Sequence, residues 1–351
     1  TGDLDYGGQG MPKVISAVIE EMFFSANSSF CLYTVLTTGA ALTINEHASE
    51  ELKATYLPKL YQGIWSGTMC LTESHAGTDL GMIHTKAVPS KDGTYSLSGT
   101  KIFITAGEHD LTENIVHLVL AKLPDAPPGP KGISLFLVPK YLLNTDGGIG
   151  EKNNVSCGAI ETKMGIKASA TCVLNFDEAN GFLVGELNNG LSNLFTMMNY
   201  ERLSMGLQGN GLAESSYQIA SAYASQRLQG RAASGPEFVE KAADPILVHP
   251  DVRRMLLTMK SNILAGRALS LYSAFHLDTS RMNPNKKIRE RSEKLISLLV
   301  PVQKAYCSDK GFEACVIGQQ VLGGHGYVSE WGLEQNVRDS RTVSYTHLTL
   351  P

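Results

Sequence analysis

Two short segments of the sequence combine hydroxyl, aromatic and small residues in a way that suits a flat ligand with polar edges. The first, MCLTESHAGTD over residues 69–79, opens like a strand and ends in small polar residues. The hydroxyls of Thr72 and Thr78, together with exposed backbone N–H groups, are able to bind a ring carbonyl or an amide. A strand followed by a capped turn has the same composition, so this segment alone does not identify a site.

The second segment, GTKIFITAG, covers residues 99–107 and is rich in apolar and β-branched residues. Side chains alternate along a strand, so Phe103 and Thr105 are expected on the same face. An aromatic ring and a hydroxyl on one face suit a flat heteroaromatic ring. A strand of an ordinary hydrophobic core is the alternative interpretation of this segment when it is taken by itself.

Three regions of different pattern would have to position these segments. Residues 1–64 show helical periodicity, residues 65–186 contain short β-like runs separated by turns, and residues 187–343 are helical again. The β-like runs form an antiparallel-looking set with a proline-rich loop at 124–132. The expected fold is therefore α+β, with an N-terminal helical domain, a middle β domain (a barrel or a sandwich) and a C-terminal helical bundle.

Prolines and polar stretches predict boundaries inside the C-terminal helical region. Pro250 stands just before a periodic apolar run and predicts the start of a long helix. Pro301 lies inside the next helical pattern and predicts a break or a kink. The polar segments 228–248 and 278–287 contain glycine or proline and are expected to be loops.

The composition excludes several classes of protein. The 30 Lys and Arg against 34 Asp and Glu leave a net charge of −4, which argues against a protein that binds nucleic acid mainly through its phosphates. The 6 cysteines include no CxxC pair and the 9 histidines include no HExxH motif, so neither disulfides nor a metal site are predicted. No stretch approaches the length of a membrane span.

Both ends of the sequence are expected to be incomplete. The start, TGDLDYGGQGMP, lacks an initiating methionine and has no basic segment followed by an apolar run, so it is not predicted to be a signal peptide. Residues 344–351 read SYTHLTLP and are expected to be a foreign tail attached to a truncated protein. The chain is therefore interpreted as a fragment.

Taken together, the two segments and the order helices, strands, helices resemble the acyl-CoA dehydrogenase family. CLTESHAGTD is similar to the first signature of that family, KIFITAG is similar to the strand that packs on its flavin, and the resemblance runs from about Tyr6 to Val343. The segments GEHDLTENIVHLVLAKLPDAP and MGIKASATCVLNFD resemble the long bacterial branch that includes 3-methylmercaptopropionyl-CoA dehydrogenase. The resemblance implies FAD as the cofactor, an acyl-CoA substrate, an electron-transfer flavoprotein as partner, and a homodimer or homotetramer in the bacterial cytoplasm.

The resemblance also implies roles for individual residues. Met69, Leu71 and Thr72 would hold the pyrimidine edge of the flavin, Phe103 and Thr105 would line its other side, and Thr78 would contact both flavin and pantetheine; Ser169 would touch the CoA moiety; Arg227, Gln229, Gln320 and Gly324 would reach the flavin of a neighbouring subunit. An arginine suits such a pyrophosphate contact because its planar fork binds phosphate with two hydrogen bonds. The glycine-rich runs GGHG and GLQGNG do not follow a strand in a βαβ unit, so a Rossmann dinucleotide site is not predicted.

The catalytic base is the least determined part of the predicted site. In the family, a glutamate removes the α-proton of the thioester while the β-hydride passes to flavin N5, and this glutamate usually lies in a YEGT-like motif shortly after an RDxR segment. Here VRDSR at 337–341 is followed by TVSYTHLTLP, which contains no glutamate. The parent protein would then use a loop glutamate that this chain lacks.

Glu201, directly before Arg202, occupies the position that the isovaleryl-CoA dehydrogenase branch uses as its base. Helical spacing would put Asn199 and Arg202 near the same ligand. A glutamate in a dry, apolar pocket is a competent base because desolvation raises its pKa. The alternative is a solvated helix carboxylate paired with a neighbouring cation.

Two competing functions share the same sequence features. An acyl-CoA oxidase would have the same fold and base but would pass its electrons to O₂. A catalytically silent flavin- or CoA-binding homologue is the other alternative, because the usual base is missing. A bare helical scaffold is disfavoured, since it would not need the two flavin-type strands.

Overall fold

The computed structural model describes residues 2–345, and its first layer consists of two helices. Helix α1 spans Lys13–His47 and helix α2 spans Glu50–Tyr61. The Asp278 carboxylate caps α1 by accepting hydrogen bonds from the backbone N–H groups of Lys13 and Val14. Asn27 has non-helical backbone angles, φ −156° and ψ 89°, and divides α1 into two segments at a kink.

A β-barrel follows the two helices. The strands are β1 Trp65–Cys70, β2 Lys86–Pro89, β3 Tyr95–Thr105, β4 Asn114–Lys122, β5 Ile133–Pro139, β6 Tyr141–Leu143, β7 Ile149–Lys152, β8 Val155–Ile160 and β9 Thr171–Leu183. Pairings β4–β2, β2–β3, β3–β9, β9–β5 and β5–β4 close a ring. β1 adds to β4, β8 adds to β9, and β6 and β7 form a separate pair. A wholly antiparallel set is wrong, because β1 and β2 each pair with β4 in parallel.

Strand β3 does not alternate regularly where the flavin segment was predicted. The register with β9 shifts between Lys101 and Ile104, and both of these side chains are buried. Between them, Phe103 has φ +60° and is 59% exposed. A bulge therefore inserts an extra residue before Ile104 and turns Phe103 out of the sheet, so the side chains do not alternate regularly along the whole segment. That Phe103 and Thr105 share a face stays a prediction.

The C-terminal layer is a helical bundle of α3 Gly190–Gln226, α4 Pro250–Met282, α5 Lys286–Leu322 and α6 Leu333–Tyr345. Pro250 lies in the first turn of α4, so the predicted start signal is confirmed. Of the break or kink predicted at Pro301, the break is wrong, because α5 continues through this residue, with Val300, Gln303 and Lys304 buried beside it. The kink stays a prediction.

The connections between these helices differ in length from the prediction. The loop expected at 278–287 is shorter, because α4 runs to Met282 and the Asn285 side chain caps α5 by accepting from Lys287 N. Segment 228–248 is irregular, apart from a 3-10 turn at Ile246–Val248. The buried Asp244 carboxylate holds this segment by accepting from three backbone N–H groups.

One hydrophobic core connects the first helices, the barrel and the start of α3. It contains Leu36 and Ala40 of α1, Trp65 of β1, Leu118 and Leu135 of the barrel, and Leu194 and Met197 of α3, with Met69 and Leu71 packed against it. Helix α1 is fixed on the barrel by a hydrogen bond from Gly67 N to Thr37 Oγ1, 3.1 Å long. Within residues 2–345, no helix combines the length and apolarity that crossing a bilayer requires.

Candidate functional site

The fold joins the two segments that the sequence singled out. Ile102 N donates to Thr72 O at 2.9 Å, so the end of the first segment runs beside the bulge of the second. Lys101 Nζ donates to Leu71 O at 3.0 Å. Thr72 and Thr105 are half-buried and Phe103 is exposed. The arrangement presents hydroxyls and an aromatic ring at one edge of the barrel.

The loop after Thr72 is tied back to the sheet by a buried carboxylate. Glu73 accepts from His84 N at 2.6 Å, from Thr85 N at 3.0 Å and from Thr85 Oγ1 at 2.6 Å. Burial by itself would raise the pKa of Glu73, but the Lys101 charge and these hydrogen bonds outweigh it and lower the pKa to about 2. Glu73 is therefore ionised. Thr78 lies exposed on the loop that Glu73 closes.

Glu73, His75 and His84 are the group of potential metal ligands that the described residues contain, with ligand atoms within 4.8 Å of one another. No sequence motif predicted this group, because the two histidines approach only through the fold of the loop. Both oxygens of Glu73 already accept hydrogen bonds, and Lys101 neutralises its charge. A divalent cation would have to compete with Lys101, so we assign Glu73 to that lysine.

The turn that contains Ser169 is held by α1 and α6. Tyr33 accepts from Ala170 N at 3.0 Å, and Ile166 N donates to Asp339 Oδ1. Ser169 is fully buried, and no partner for its hydroxyl lies within the described residues. The hydroxyl expected to touch CoA thus faces inward, while the neighbouring Ala168 is exposed.

Glu201 lies on α3 and is 7% exposed. No donor among the described residues reaches its Oε1 atom. Burial raises the pKa of Glu201 to about 8; the charge of Glu20 acts in the same direction and that of Lys13 opposes it. The alternative of a solvated carboxylate is wrong, because α1 covers this face of α3 and leaves the glutamate in the protein interior.

Asn199 and Arg202 contact each other on α3. Arg202 donates to Asn199 Oδ1 at 3.1 Å, and its guanidinium lies 5.7 Å from the centre of the Phe195 ring. Successive residues of a helix are roughly 100° apart around the axis, so these two side chains leave α3 on a different side from Glu201. That one ligand reaches all three residues stays a prediction.

A buried polar network beside Glu201 was not predicted. Glu20 of α1 accepts from Lys13 Nζ at 2.5 Å, from Tyr200 Oη at 2.7 Å and from Ser204 Oγ at 2.7 Å. Burial lowers the pKa of Lys13, although Glu20 opposes this. Polar residues on a helix usually indicate a solvated face, and the spacing of seven residues between Lys13 and Glu20 is the one signal in the sequence that both share a face.

The predicted cross-subunit residues lie at the far ends of α3 and α5. Arg227, Gln229, Gln320 and Gly324 are all exposed. A hydrogen bond of 2.8 Å between Tyr223 Oη and His325 Nδ1 ties the end of α3 to the turn after α5. These residues are thus available to a neighbouring molecule, and their predicted contact with its flavin stays a prediction.

Comparison with known proteins identifies the family. Models of the acyl-CoA dehydrogenase N-terminal, middle and C-terminal domains match residues 3–64, 68–179 and 188–346. The chain is 31% identical over 344 residues to an acyl-CoA dehydrogenase of Bacillus subtilis, which covers 96% of this chain and 79% of that protein. The chain therefore belongs to the acyl-CoA dehydrogenase family.

Two further proteins of the family are similar to nearly the whole chain. It is 46% identical over 339 residues to the 3-methylmercaptopropionyl-CoA dehydrogenase of Ruegeria pomeroyi, covering 97% of this chain and 57% of that protein. A crystal structure of an acyl-CoA dehydrogenase from Bacillus anthracis complexed with FAD matches with a TM-score of 0.81 and 27% identity, covering 99% of this chain and 56% of that one. The chain thus spans a little over half the length of these two relatives.

Proposed function

We propose that this chain carries the flavin and thioester site of an FAD-dependent acyl-CoA dehydrogenase, which converts an acyl-CoA to the trans-2-enoyl-CoA. The observation that carries the proposal is the joining of residues 69–78 and 99–107 at Thr72 and Ile102 in a chain of this family. FAD, when bound, supplies the acceptor for the β-hydride.

The residues at the barrel edge fit an isoalloxazine ring. Those that would hold FAD are Met69, Leu71, Thr72, Thr78, Phe103 and Thr105, with Arg227, Gln229, Gln320 and Gly324 of a second subunit. Phe103 adopts φ +60°, a conformation that costs a non-glycine residue of order 1 kcal/mol and often occurs at ligand sites. A Cβ atom on Gly77 would meet no atom within 4 Å, so the loop has room for a ligand against its backbone.

Within this chain, we propose Glu201 as the base that removes the α-proton. Its Oε1 atom has no donor within reach among the described residues, and its pKa of about 8 suits a group that must accept a proton near neutral pH. Met197, one turn before it, packs in the same core as Met69 and Leu71. The competing base is a loop glutamate of the kind that usually follows the RDxR segment in the family.

We extend this proposal to the path of the substrate, the oligomeric state, the compartment and the electron acceptor. The acyl-CoA would lie along Thr78, Ser169, Asn199 and Arg202, which requires the Ser169 turn to open, since this serine is buried. We expect a homodimer or homotetramer in the bacterial cytoplasm that passes electrons to an electron-transfer flavoprotein. All six cysteines are free thiols, in keeping with a reducing compartment.

Anaerobic titration with a panel of acyl-CoA thioesters tests the proposal through bleaching of the flavin absorbance. The parent chain and the variant Glu201→Gln are compared after FAD loading, with Glu214→Gln as a control on the same helix. We expect equal FAD content in all three and flavin reduction slowed by roughly 10²–10⁴-fold in Glu201→Gln alone. Unchanged reduction in that variant would dismiss Glu201, and a chain that takes up no FAD would dismiss the function.

The rate at which each electron acceptor reoxidises the flavin separates an acyl-CoA oxidase from an acyl-CoA dehydrogenase. If O₂ reoxidises the reduced flavin as fast as an electron-transfer flavoprotein does, the protein is an acyl-CoA oxidase. A catalytically silent homologue is the other candidate. That candidate predicts bound FAD that no thioester in the panel reduces, in the parent chain as well as in a clone that extends beyond this sequence.

A further inference from the structure

Glu73 and Lys101 form an ion pair inside the barrel that the flavin assignment leaves unused. Their Oε1 and Nζ atoms are 2.9 Å apart, and their side chains are 4% and 0% exposed. Glu73 belongs to the first flavin segment and Lys101 to the second. The pair is therefore a direct bond between the two segments that the proposed function brings together at the flavin.

On one side, the pair closes the loop that carries Thr78. Glu73 binds the backbone and hydroxyl of Thr85 and the backbone of His84. Glu73 and Ala76 also exchange backbone hydrogen bonds of 3.1 and 3.0 Å. Both ends of the loop between Glu73 and His84 thus converge on one side chain. The position of Thr78 depends on where that carboxylate is held.

On the other side, the pair anchors the bulge of β3. Lys101 is the last residue before the register shift, and its ammonium also holds Leu71 O. The strained backbone of Phe103 lies two residues later. A conformation of this kind persists only where the surrounding structure determines it, and Lys101 with the Ile102–Thr72 hydrogen bond supplies that constraint.

We infer that the Glu73–Lys101 pair is a positioning device, which sets the spacing between the Thr72–Thr78 side and the Phe103 side of the flavin site. The inference rests on the proposed function. A buried ion pair adds little net stability compared with apolar side chains of similar volume, because desolvation offsets the attraction. Its hydrogen bonds do fix directions, which apolar packing cannot do.

The first measurement needs no flavin. Hydrogen exchange of residues 72–85 is compared in the apoprotein between the parent chain, Glu73→Gln and Lys101→Met. We expect at least about tenfold faster exchange in that loop for both variants, which corresponds to about 1.4 kcal/mol of local opening. Unchanged exchange in both variants would overturn the inference, whether or not the chain binds FAD.

The second measurement separates positioning from general stability. Glu21→Gln is the matched control, because Glu21 is also a buried acid paired with a cation, Arg267, at 2.6 Å, but in the helical layer. The double variant Glu73→Leu with Lys101→Met removes both charges together. FAD dissociation constants, flavin absorption spectra and melting temperatures are measured for all of them.

The positioning role predicts a specific split between these measurements. The double variant should regain much of the melting temperature lost by the single variants, yet bind FAD at least about tenfold more weakly than the parent and with a shifted spectrum. Glu21→Gln should melt earlier and keep the parent's FAD affinity. Parent-like affinity in the double variant would overturn the inference. A parent chain that binds no FAD refutes the proposed function instead, and the exchange measurement then decides the inference.

Discussion

A Cβ atom on Gly39 of α1 would lie 2.7 Å from Oε1 of Glu201 on α3 and 2.9 Å from Cγ of Met197. Real Cβ atoms essentially never come this close to another atom, so a side chain at residue 39 would push Glu201 or Met197 aside. The carboxylate of Glu201 consequently rests against the backbone of α1. This relationship fixes where the proposed base lies.

Gly39→Ala is expected to displace the Glu201 carboxylate. The added methyl group should cost about 1–3 kcal/mol of unfolding free energy through overpacking. We expect flavin reduction by substrate to slow by at least about tenfold, while FAD affinity stays unchanged, which stopped-flow spectroscopy and FAD titration measure. Gly318→Ala, whose Cβ would meet its nearest neighbour at 3.3 Å far from Glu201, is the matched control. A parent-like reduction rate in Gly39→Ala would argue against Glu201 as the base.

Glu201 also makes stability depend on pH. Its pKa is about 8 in the folded chain against an ordinary value of 4.5, so between these values the folded state binds more protons than the unfolded state. The free energy of unfolding that protonated Glu201 contributes at low pH is therefore lost as the pH rises from 4.5 through 8. The change in unfolding free energy caused by Glu201→Gln should therefore be more favourable at pH 9 than at pH 5, by on the order of 2–4 kcal/mol. Urea unfolding at the two pH values measures this, and an equal effect at both would contradict the assigned shift.

Gly77→Ala separates stability from ligand binding. The space around a Cβ atom at this position is open in the chain, so the free energy of unfolding should change by less than about 0.5 kcal/mol. If a ligand lies against this part of the loop, the methyl group will weaken FAD or acyl-CoA binding. Chemical denaturation and ligand titration make the comparison. Unchanged affinity for both ligands would remove residue 77 from the proposed site.

Arg227→Ala tests the reach between subunits. Arg227 is exposed and should contribute little to the stability of its own subunit. Loss of a charged hydrogen bond to the flavin pyrophosphate should weaken FAD binding by about 1.5–3 kcal/mol without lowering the melting temperature. Arg254→Ala, an exposed arginine paired with Asp251 on α4, serves as the control. Equal effects of both variants on FAD affinity would contradict a specific role.

His117 predicts an acid sensitivity inside the barrel. Burial lowers its pKa to about 3, and the charge of Lys140 adds to the effect, while the ordinary value is 6.5. The unfolded chain therefore binds a proton that the folded chain refuses, and stability is lost as the pH falls from 6.5 towards 3. In His117→Asn, the free energy of unfolding should fall less steeply as the pH decreases, by a slope that corresponds to up to about one proton. The substitution should also lower stability at pH 8. Unfolding free energies from pH 4 to 8 test this, with His249→Asn as the control, and an unaltered slope would contradict it.

The sequence was most informative about architecture. The order of helices, strands and helices, with a middle β domain, and the start of α4 at Pro250 followed from periodicity and from proline, which act locally. The family followed from two segments whose composition the fold then brought together. Local signals of this kind can be read from the sequence because the residues that carry them are neighbours in the chain.

Features that depend on tertiary contacts were not predictable in the same way. The bulge at Phe103 needs a partner strand, β9, that lies about seventy residues further along the chain. The burial of Glu201 depends on α1, and the continuity of α5 through Pro301 depends on the helices packed around it. The sequence contains all of these residues, but no short-range pattern records which of them meet.

Closure of the barrel by β9 also has a consequence for the order in which the polypeptide becomes functional. β9 pairs with β3, β5 and β8, yet it is the last of the described strands to leave the ribosome. A nascent chain that ends before Thr171 contains both flavin segments but lacks the strand that holds β3 in register. Such a product would expose unpaired strand edges to chaperones and proteases. The cofactor would find its binding edge only after β9 has been translated.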